Sequence, residues 1–459
     1  MKTKFFTLLG SFIIIGLSLL PTVLKAQDGQ IQFYRPNDQR GVNVFETSKK
    51  DTVAFKGLKV KVGGGFEFDY QMLRDQNTAI PVTKTIGTAT GNVNNLSSLI
   101  DGFNLPMANL NFDAQLADGM RLNLTLYLAA RHHEETWVKG GYLQIDKLPF
   151  LHSQLIDNVM KSVTIVVGQY DVDYGDQHFR RSDGGHTVFN PFIENYVMDE
   201  FSTEMGMHVY YKCQKTGLFA MGGITTGELN ETTLQSSKTD AETGLLNTYS
   251  PAFLGKVGFD KQLTPDFRLR ISGSFYTVNS ANSSTLFGGD RTGSHYFNVM
   301  SNPTTAAGTV LSNANDYNAF SGRFNPGFSD EVHTYMGNLF LKYKGFEFFG
   351  TAENAVGRSI AETSKRGAVQ YATDFIYRFP ANTENFYVGY RYDTVTATIL
   401  GNSTSVTVDR SAAALGWFMT KNIMMKGEYV TQSYKNYDPT NILNGGKFNG
   451  FMVEAAIGF

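Results

Sequence analysis

The stretch of sequence richest in side chains that could do chemistry is residues 171–201, which opens DVDYGDQHFRRSDGGH and continues to NPF. Its acidic and basic residues stand within a few positions of one another. Charged side chains gathered in this way can form a constriction that selects ions, although an ordinary solvated loop has a similar composition. The candidates for such a constriction are Asp171, Asp173, Asp176, Arg180, Arg181 and Asp183.

The residue spacing gives little support for a metal site, a catalytic site or a disulfide. The acids of 171–176 match a calcium loop poorly, because Gly175 stands where a ligand is expected. No nucleophile-elbow, phosphate-loop or zincin motif occurs in the sequence. The single cysteine, Cys213, excludes an internal disulfide. The sequence therefore predicts a protein that is not an enzyme and has no catalytic, cofactor-binding or metal-binding residues.

Composition indicates which kind of fold carries these residues. The 459 residues include 36 Phe, 23 Tyr and 46 Gly but only 12 Pro, and 18% are charged. The mean hydropathy is slightly negative, which argues against a bundle of membrane helices. A membrane barrel reconciles the two observations, because only alternate residues of its strands face lipid. The formal net charge of -2 argues against nucleic acid as a partner, since that function requires clustered basic residues.

Residues 1–26 have the layout of a cleaved secretory signal. Lys2 and Lys4 precede an apolar stretch over 5–20, Pro21 ends it, and Ala26 offers a small residue for cleavage. An uncleaved membrane anchor is the alternative, because the apolar run approaches the length that spans a bilayer. The sequence therefore predicts export, with the bacterial outer membrane as the destination.

Apolar and polar residues alternate with a period of two along most of the remaining chain. In residues 121–128, every second residue from Leu122 onward is leucine, and the intervening positions are Arg, Asn, Thr and Tyr. Successive side chains of a strand face opposite sides, so this pattern predicts strands with one apolar face. A soluble β-sandwich alternates too, but here the polar face carries charges and the segments are long enough to cross a bilayer.

The pattern predicts an all-β protein, an antiparallel transmembrane β-barrel over residues 57–459. A pre-barrel segment over 27–56 lies in the periplasm or in the lumen. Short periplasmic turns and long extracellular loops alternate between the strands, as expected of such barrels. A strand pair hidden in 279–331 would raise the count from about sixteen to eighteen. The sixteen predicted strands are 57–72, 106–117, 120–130, 139–147, 161–170, 202–213, 216–226, 252–262, 266–278, 332–344, 345–354, 367–380, 384–395, 405–418, 421–433 and 446–459.

The polar faces of these strands are expected to form the wall of a lumen, and they carry both signs of charge. The predicted basic residues of this wall are Lys59, Lys61, Arg121, Arg268, Arg270, Arg378 and Arg391. The last strand ends at an aromatic residue, as in the terminal signature that the outer-membrane assembly machinery reads. The residues that form it, all on one face of the strand, are Phe451, Val453, Ile457 and Phe459.

Four segments resemble a porin-like family of Gram-negative outer membranes, distantly similar to phosphate-selective and general-diffusion porins. They are Gln32–Pro36, Gly41–Glu46, Val167–Asp171 and His178–Asp183. In trimeric porins the third outward loop folds into the lumen, and residues 171–201 have that rank among the loops. The resemblance implies a homotrimer as well. Phosphate-selective relatives imply a lysine-rich lumen, whereas the predicted wall here is mixed in charge.

The leading hypothesis is passive diffusion of small hydrophilic solutes, because about sixteen strands enclose an aqueous channel. A channel selective for anions or sugars is the second hypothesis. Tyrosines at 127, 210, 276 and 387 on the lumen faces would favour sugars. A barrel enzyme or an adhesin, built on the long loops, is the third. The expected partners are outer-membrane lipid, small hydrophilic solutes and the assembly machinery.

Overall fold

In the computed structural model the chain forms a closed barrel of sixteen antiparallel strands. The structure describes residues 30–128, 137–182, 186–229, 233–288, 294–301, 305–306, 309–310 and 321–459. The predicted signal peptide therefore lies outside the described residues. Among those that are described, no helix is long and apolar enough to cross a membrane.

Each strand pairs with its neighbours in sequence, and the last strand pairs with the first to close the barrel. The strands are β1 (Lys59–Gln76), β2 (Gly102–Ala117), β3 (Met120–Leu128), β4 (Trp137–Ile145), β5 (Val163–Asp171), β6 (Thr203–Lys212), β7 (Leu218–Thr225), β8 (Ala252–Thr264), β9 (Phe267–Val278), β10 (Glu331–Tyr343), β11 (Phe346–Arg358), β12 (Arg366–Phe379), β13 (Phe386–Ala397), β14 (Val406–Thr420), β15 (Ile423–Lys435) and β16 (Lys447–Gly458). The prediction of sixteen strands is confirmed, and the alternative of eighteen is not.

The remaining regular elements lie in the connections. Among the described residues, one α-helix, α1 (Gln154–Met160), occupies the link between β4 and β5. Two small hairpins stand outside the barrel sheet: Thr83–Ile86 pairs with Ala89–Asn92, and Thr305–Ala306 pairs with Thr309–Val310. Short 3₁₀ turns occur at Gln39–Gly41, Pro149–Leu151, Gln177–Arg180 and Thr187–Phe189. One end of the barrel thus has mainly short turns, and the other has the long connections.

The outer surface of the barrel is apolar and its inner surface is charged. Leu122 and Leu124 on β3 are exposed on the outside, while Arg121 on the same strand is buried inside. A soluble β-sandwich would bury its apolar face, so this inversion excludes that alternative. The apolar residues of the outer surface suit contact with lipid, and the charged residues of the inner surface suit a polar or water-filled interior.

A row of aromatic rings marks the short-turn end of the outer surface. Tyr377, Phe379, Phe386 and Trp417 stack in sequence, with ring centroids 5.9, 5.8 and 5.8 Å apart. These rings come from three neighbouring strands, β12 to β14, which the alternation turns outward together. Such rows are typical of the interface between bilayer and water.

Candidate functional site: the barrel interior

The described residues of the connection from β5 to β6, 172–182 and 186–202, lie inside the barrel. Phe192, Ile193 and Val197 are at most 1% exposed. Backbone amides of this inward connection donate to side chains of the strand wall: Ile193 N to Glu428 Oε2 at 2.9 Å, and Met198 N to Gln370 Oε1 at 2.8 Å. The connection is therefore held by lumen-facing groups of β12 and β15, and it fills that side of the barrel.

The long connection between β9 and β10 packs on the inward connection. The amide of Phe324 donates to the carbonyl of Val197 at 2.7 Å, and Arg323 Nη2 lies 3.0 Å from Glu194 Oε1. The hydroxyl of Tyr296 donates to Glu428 Oε1 at 2.6 Å. Two chain segments thus share the wall residue Glu428 and together fill part of the lumen.

The segment before the barrel crosses the short-turn end. The amide of Gln39 donates to the carbonyl of Lys421 at 2.8 Å, and Lys49 Nζ lies 2.7 Å from Asp146 Oδ1. Between these contacts Glu46 Oε1 lies 2.6 Å from Arg270 Nη2. The sequence left open whether this segment lies in the periplasm or in the lumen, and its residues 30–51 lie against the lumen wall.

An open cavity, here called the passage, remains along the wall formed by β2 to β6. It has an open volume of ≈1490 Å³, counting the space that continues into solvent. Its basic residues are Arg35, Lys49, Arg121, Lys139 and Lys212, and its acidic residues are Glu46, Asp113, Asp171 and Asp173. Its aromatic residues are Tyr34, Phe45, Tyr142, Tyr170, Phe179, Phe189 and Tyr210. Both signs of charge and many rings therefore border one eccentric opening.

Of the six residues expected at a constriction, the five that the structure describes divide between the passage and the filled side. Asp171 and Asp173 border the passage, and Asp173 Oδ1 lies 2.5 Å from Lys256 Nζ. Asp176 faces Arg270 instead, with Oδ2 at 2.8 Å from Nε.

The other two described candidates lie away from the passage. Arg180 lies between Asp374 at 3.8 Å and Glu347 at 4.0 Å, and Arg181 pairs with Asp199. Asp183 lies outside the described residues.

The basic residues expected on the lumen wall point inward, and most of them are ion-paired. Arg391 Nε lies 2.7 Å from Asp374 Oδ1. Lys61 Nζ lies 4.4 Å from the ring centre of Tyr34. The other pairs are Arg121 with Asp113, Arg268 with Asp260, Arg270 with Asp176, and Arg378 with Glu347, while Lys59 Nζ contacts the carbonyl of Gln30 at 3.5 Å. Removing a charge from water is costly unless a partner compensates it, which explains why these cations come with carboxylates.

His178 borders the passage but adds no charge at neutral pH. Burial lowers the pKa of its imidazole to about 4, against the opposing effect of the neighbouring Asp173 carboxylate. The Nδ1 atom lies 2.9 Å from the carbonyl oxygen of Gly175. The ring therefore serves as part of the passage wall beside Phe179.

Sequence reasoning missed several residues that border the passage. Lys139 and Lys212 occupy inward positions of β4 and β6, so the alternation pattern was sufficient to find them. Arg35, Glu46 and Lys49 come from the segment before the barrel. No periodicity governs that segment, and no signal in the sequence places it against the wall.

The fold and the interior together define a transmembrane β-barrel whose lumen is narrowed by its own connections. No family model matches the sequence, and no curated protein matches it. The chain is similar to the outer membrane channel DcaP of Acinetobacter baumannii, at 11% identity and a TM-score of 0.48, covering 88% of this chain and 99% of that one.

Two further solved structures match a similar fraction of this chain. An anion-selective porin from Comamonas acidovorans is 10% identical at a TM-score of 0.45, covering 88% of this chain and 100% of that one. Outer-membrane expressed OmpT of Vibrio cholerae is 9% identical at a TM-score of 0.45, covering 88% and 99%. At these identities the function of this chain has to be argued from its own residues.

Proposed function

We propose that the protein is a porin that allows passive diffusion of small hydrophilic solutes across the bacterial outer membrane. The observation that carries the proposal is the open cavity between the strand wall of β2 to β6 and the inward connection, which is bordered by charged side chains of both signs. Its described lining has five basic and four acidic residues, so opposite charges nearly balance. A passage of this kind admits water and polar solutes with little preference for either sign of ion.

Cysteine labelling inside the lumen tests the route. In a Cys213→Ser background, Thr125→Cys places a thiol in the passage, and a charged methanethiosulfonate reagent should lower the conductance. Thr351→Cys is the matched control, because Thr351 faces the lumen on β11 but is buried and accepts from Asn338 Nδ2 at 2.9 Å. Equal effects at both positions, or none at Thr125, would refute this route.

We further propose that residues 171–201 form the constriction, with Asp171 and Asp173 as its acidic side. The support is that both border the passage while the same connection fills the opposite side of the barrel. Asp171→Asn should shift the reversal potential in a salt gradient toward anion preference. Asp438→Asn is the control, because it removes the same charge from an exposed loop at the rim, and it should leave the reversal potential unchanged.

A channel that prefers sugars is the second candidate. The observation that favours it is the cluster of tyrosines along the passage, Tyr34, Tyr142, Tyr170 and Tyr210. Rings with polar edges suit solutes that have an apolar face and hydroxyl groups. Liposome-swelling rates that differ between sugars and amino acids of equal size would support this candidate. Rates that follow size alone would oppose it.

In this function the protein catalyses no reaction, and it assembles in the outer membrane. The charged groups of the filled side are held in ion pairs with one another, which favours a structural role for them. Residues 1–26 would direct export, and β16 with the Phe459 that follows it would be recognised by the assembly machinery.

We propose that the protein assembles as a homotrimer. The support is a recess on the outer face of β7 to β11, where Gly255, Gly273, Gly337 and Ala352 leave room beside Tyr335. Small residues allow close approach of a neighbouring barrel. Native mass spectrometry should detect the trimer, and Gly273→Trp should weaken it. A monomer under the mildest extraction conditions would contradict the proposal.

A further inference from the structure

A cluster of one histidine and three carboxylates lies at the seam where the barrel closes. Glu67 and Asp69 are on β1 and Glu454 is on β16, and Asp69 stands directly opposite Glu454 in the strand register. The histidine, His295, comes from the connection between β9 and β10. All four side chains are at most 1% exposed.

The distances within this cluster are too long for good hydrogen bonds. His295 Nδ1 lies 3.6 Å from Asp69 Oδ2 and 3.7 Å from Glu454 Oε2, whereas hydrogen bonds between nitrogen and oxygen span about 2.7–3.2 Å. Two ligands of a metal with bonds of about 2.1 Å in a tetrahedral site stand about 3.4 Å apart. The observed separations are close to that ligand spacing.

Several atoms of the cluster have no hydrogen-bond partner among the described residues. They are His295 Nδ1, both carboxylate oxygens of Asp69, Glu67 Oε1 and Glu454 Oε2. An unsatisfied carboxylate in a buried site is costly. These atoms converge, since Glu67, His295 and Glu454 each offer a ligand atom within 4.8 Å of the others. The convergence of unpartnered donors points to a bound cation.

The charges of the cluster do not balance on their own. Three carboxylates face one lysine, Lys426, whose Nζ lies 2.6 Å from Glu454 Oε1. With a neutral imidazole, the net charge of these groups is -2. Like charges placed directly opposite each other in a sheet are destabilising. A single divalent cation would neutralise the cluster.

The donors are also held in place by their surroundings. The amide of His295 donates to Glu194 Oε2 at 2.7 Å, and the amide of Phe297 donates to Gln71 Oε1 at 2.7 Å. Thr187 of the inward connection donates to Glu67. The histidine therefore reaches the seam on a segment that is fastened on both sides of it.

We propose that this cluster binds a divalent transition-metal cation, with Zn²⁺ or Mn²⁺ as the class that fits. Glu67, His295 and Glu454 are the ligands, because each of them offers an atom within 4.8 Å of the others. Asp69 Oδ2, 3.6 Å from His295 Nδ1, would orient the imidazole, as carboxylates beside metal-bound histidines do. Mixed nitrogen and oxygen donors favour these metals over Ca²⁺ and Mg²⁺, which take oxygen ligands. The metal would fasten the connection of residues 294–301 to the closing seam.

Metal binding by the purified, folded full chain tests this proposal. After chelator treatment, equilibrium dialysis against Zn²⁺ or Mn²⁺ with elemental analysis should find one ion per chain. Co²⁺ should give a visible absorption band at the same stoichiometry. His295→Ala and, separately, Asp69→Asn should each weaken binding by about tenfold or more.

His333→Ala is the matched control, because His333 also contacts a carboxylate, with Nε2 at 2.8 Å from Glu331 Oε1 near the barrel rim. This variant should bind the ion as the parent protein does. Heat-modifiable mobility on gels verifies folding, and Asp69→Asn serves if His295→Ala does not fold. Absence of stoichiometric binding, or equal binding by the parent and a folded cluster variant, would overturn the proposal in favour of a histidinium that bridges the carboxylates. Neither result depends on channel activity.

Discussion

At the scale of the residue, the interior is organised by buried ion pairs whose partners come from distant parts of the chain. Arg270 is the clearest example, because its guanidinium lies within 3.2 Å of carboxylates from the pre-barrel segment, the inward connection and β8. One side chain thereby links the pre-barrel segment and the inward connection to the strand wall. The carboxylates Glu46, Asp176 and Asp260 depend on it for neutralisation.

Replacement of Arg270 by methionine should therefore be strongly destabilising. Removing one partner of a buried ion pair leaves uncompensated charge and lowers the free energy of unfolding by about 3–5 kcal/mol. Urea unfolding of the refolded barrel measures the change. Arg268→Met is the control, since the Arg268 side chain is 24% exposed and its loss should be smaller. Equal stability of Arg270→Met and the parent would contradict this account of the interior.

A pair of neighbouring substitutions tests which face of β3 meets lipid. Leu124 is exposed on the outer face and Asn123 is turned inward, where its Nδ2 donates to Asp113 Oδ1 at 3.0 Å. An arginine on the lipid face near the bilayer centre costs about 2–4 kcal/mol. Leu124→Arg should therefore impair membrane assembly and Asn123→Arg should not, as judged by the yield of heat-modifiable protein. Equal yields would show that the register is wrong.

The alternation of residue types was enough to predict which strand residues point inward, because the period of two is a property of the strand itself. It was not enough to predict their partners. Asp176 was expected at the constriction but faces Arg270, and the sequence separation of 94 residues leaves no local signal of that contact. The same holds for His295, although closure of the barrel would have placed Glu67 and Asp69 near Glu454.

At the scale of the element, the strands were predictable and the connections that fill the barrel were not. Each strand pairs with its neighbour in sequence, so the position of each hairpin can be predicted from the local sequence. The position of the inward connection depends instead on how its residues pack against side chains of the strand wall. Gly416 shows this, because a Cβ there would stand 2.0 Å from the ring of Tyr387, whose hydroxyl donates to the carbonyl of Pro191 at 2.8 Å.

Deletion of residues 30–50 should widen the passage. This segment contributes Tyr34, Arg35, Phe45, Glu46 and Lys49 to the passage lining, and the strands pair without it. The single-channel conductance should rise about twofold or more, since ion flow through an aqueous pore depends on its narrowest cross-section. A folded deletion variant with unchanged conductance would show that the segment does not limit the passage.

At the scale of the whole molecule, a sixteen-strand barrel encloses more space than this protein leaves open. An empty barrel of this size is an aqueous channel, but here the pre-barrel segment and two connections occupy part of the interior. What remains is an eccentric passage with both signs of charge. We therefore expect a conductance below that of an unobstructed barrel and a weak preference between ions.

Single-channel recording of the purified protein in a planar bilayer, with the reversal potential measured across a salt gradient, tests the central claim most directly. We predict stepwise openings with a reversal potential near zero, because the lining charges nearly balance. Protein that is folded and inserted but electrically silent would contradict the claim, since it would mean that the segments in the lumen close the barrel.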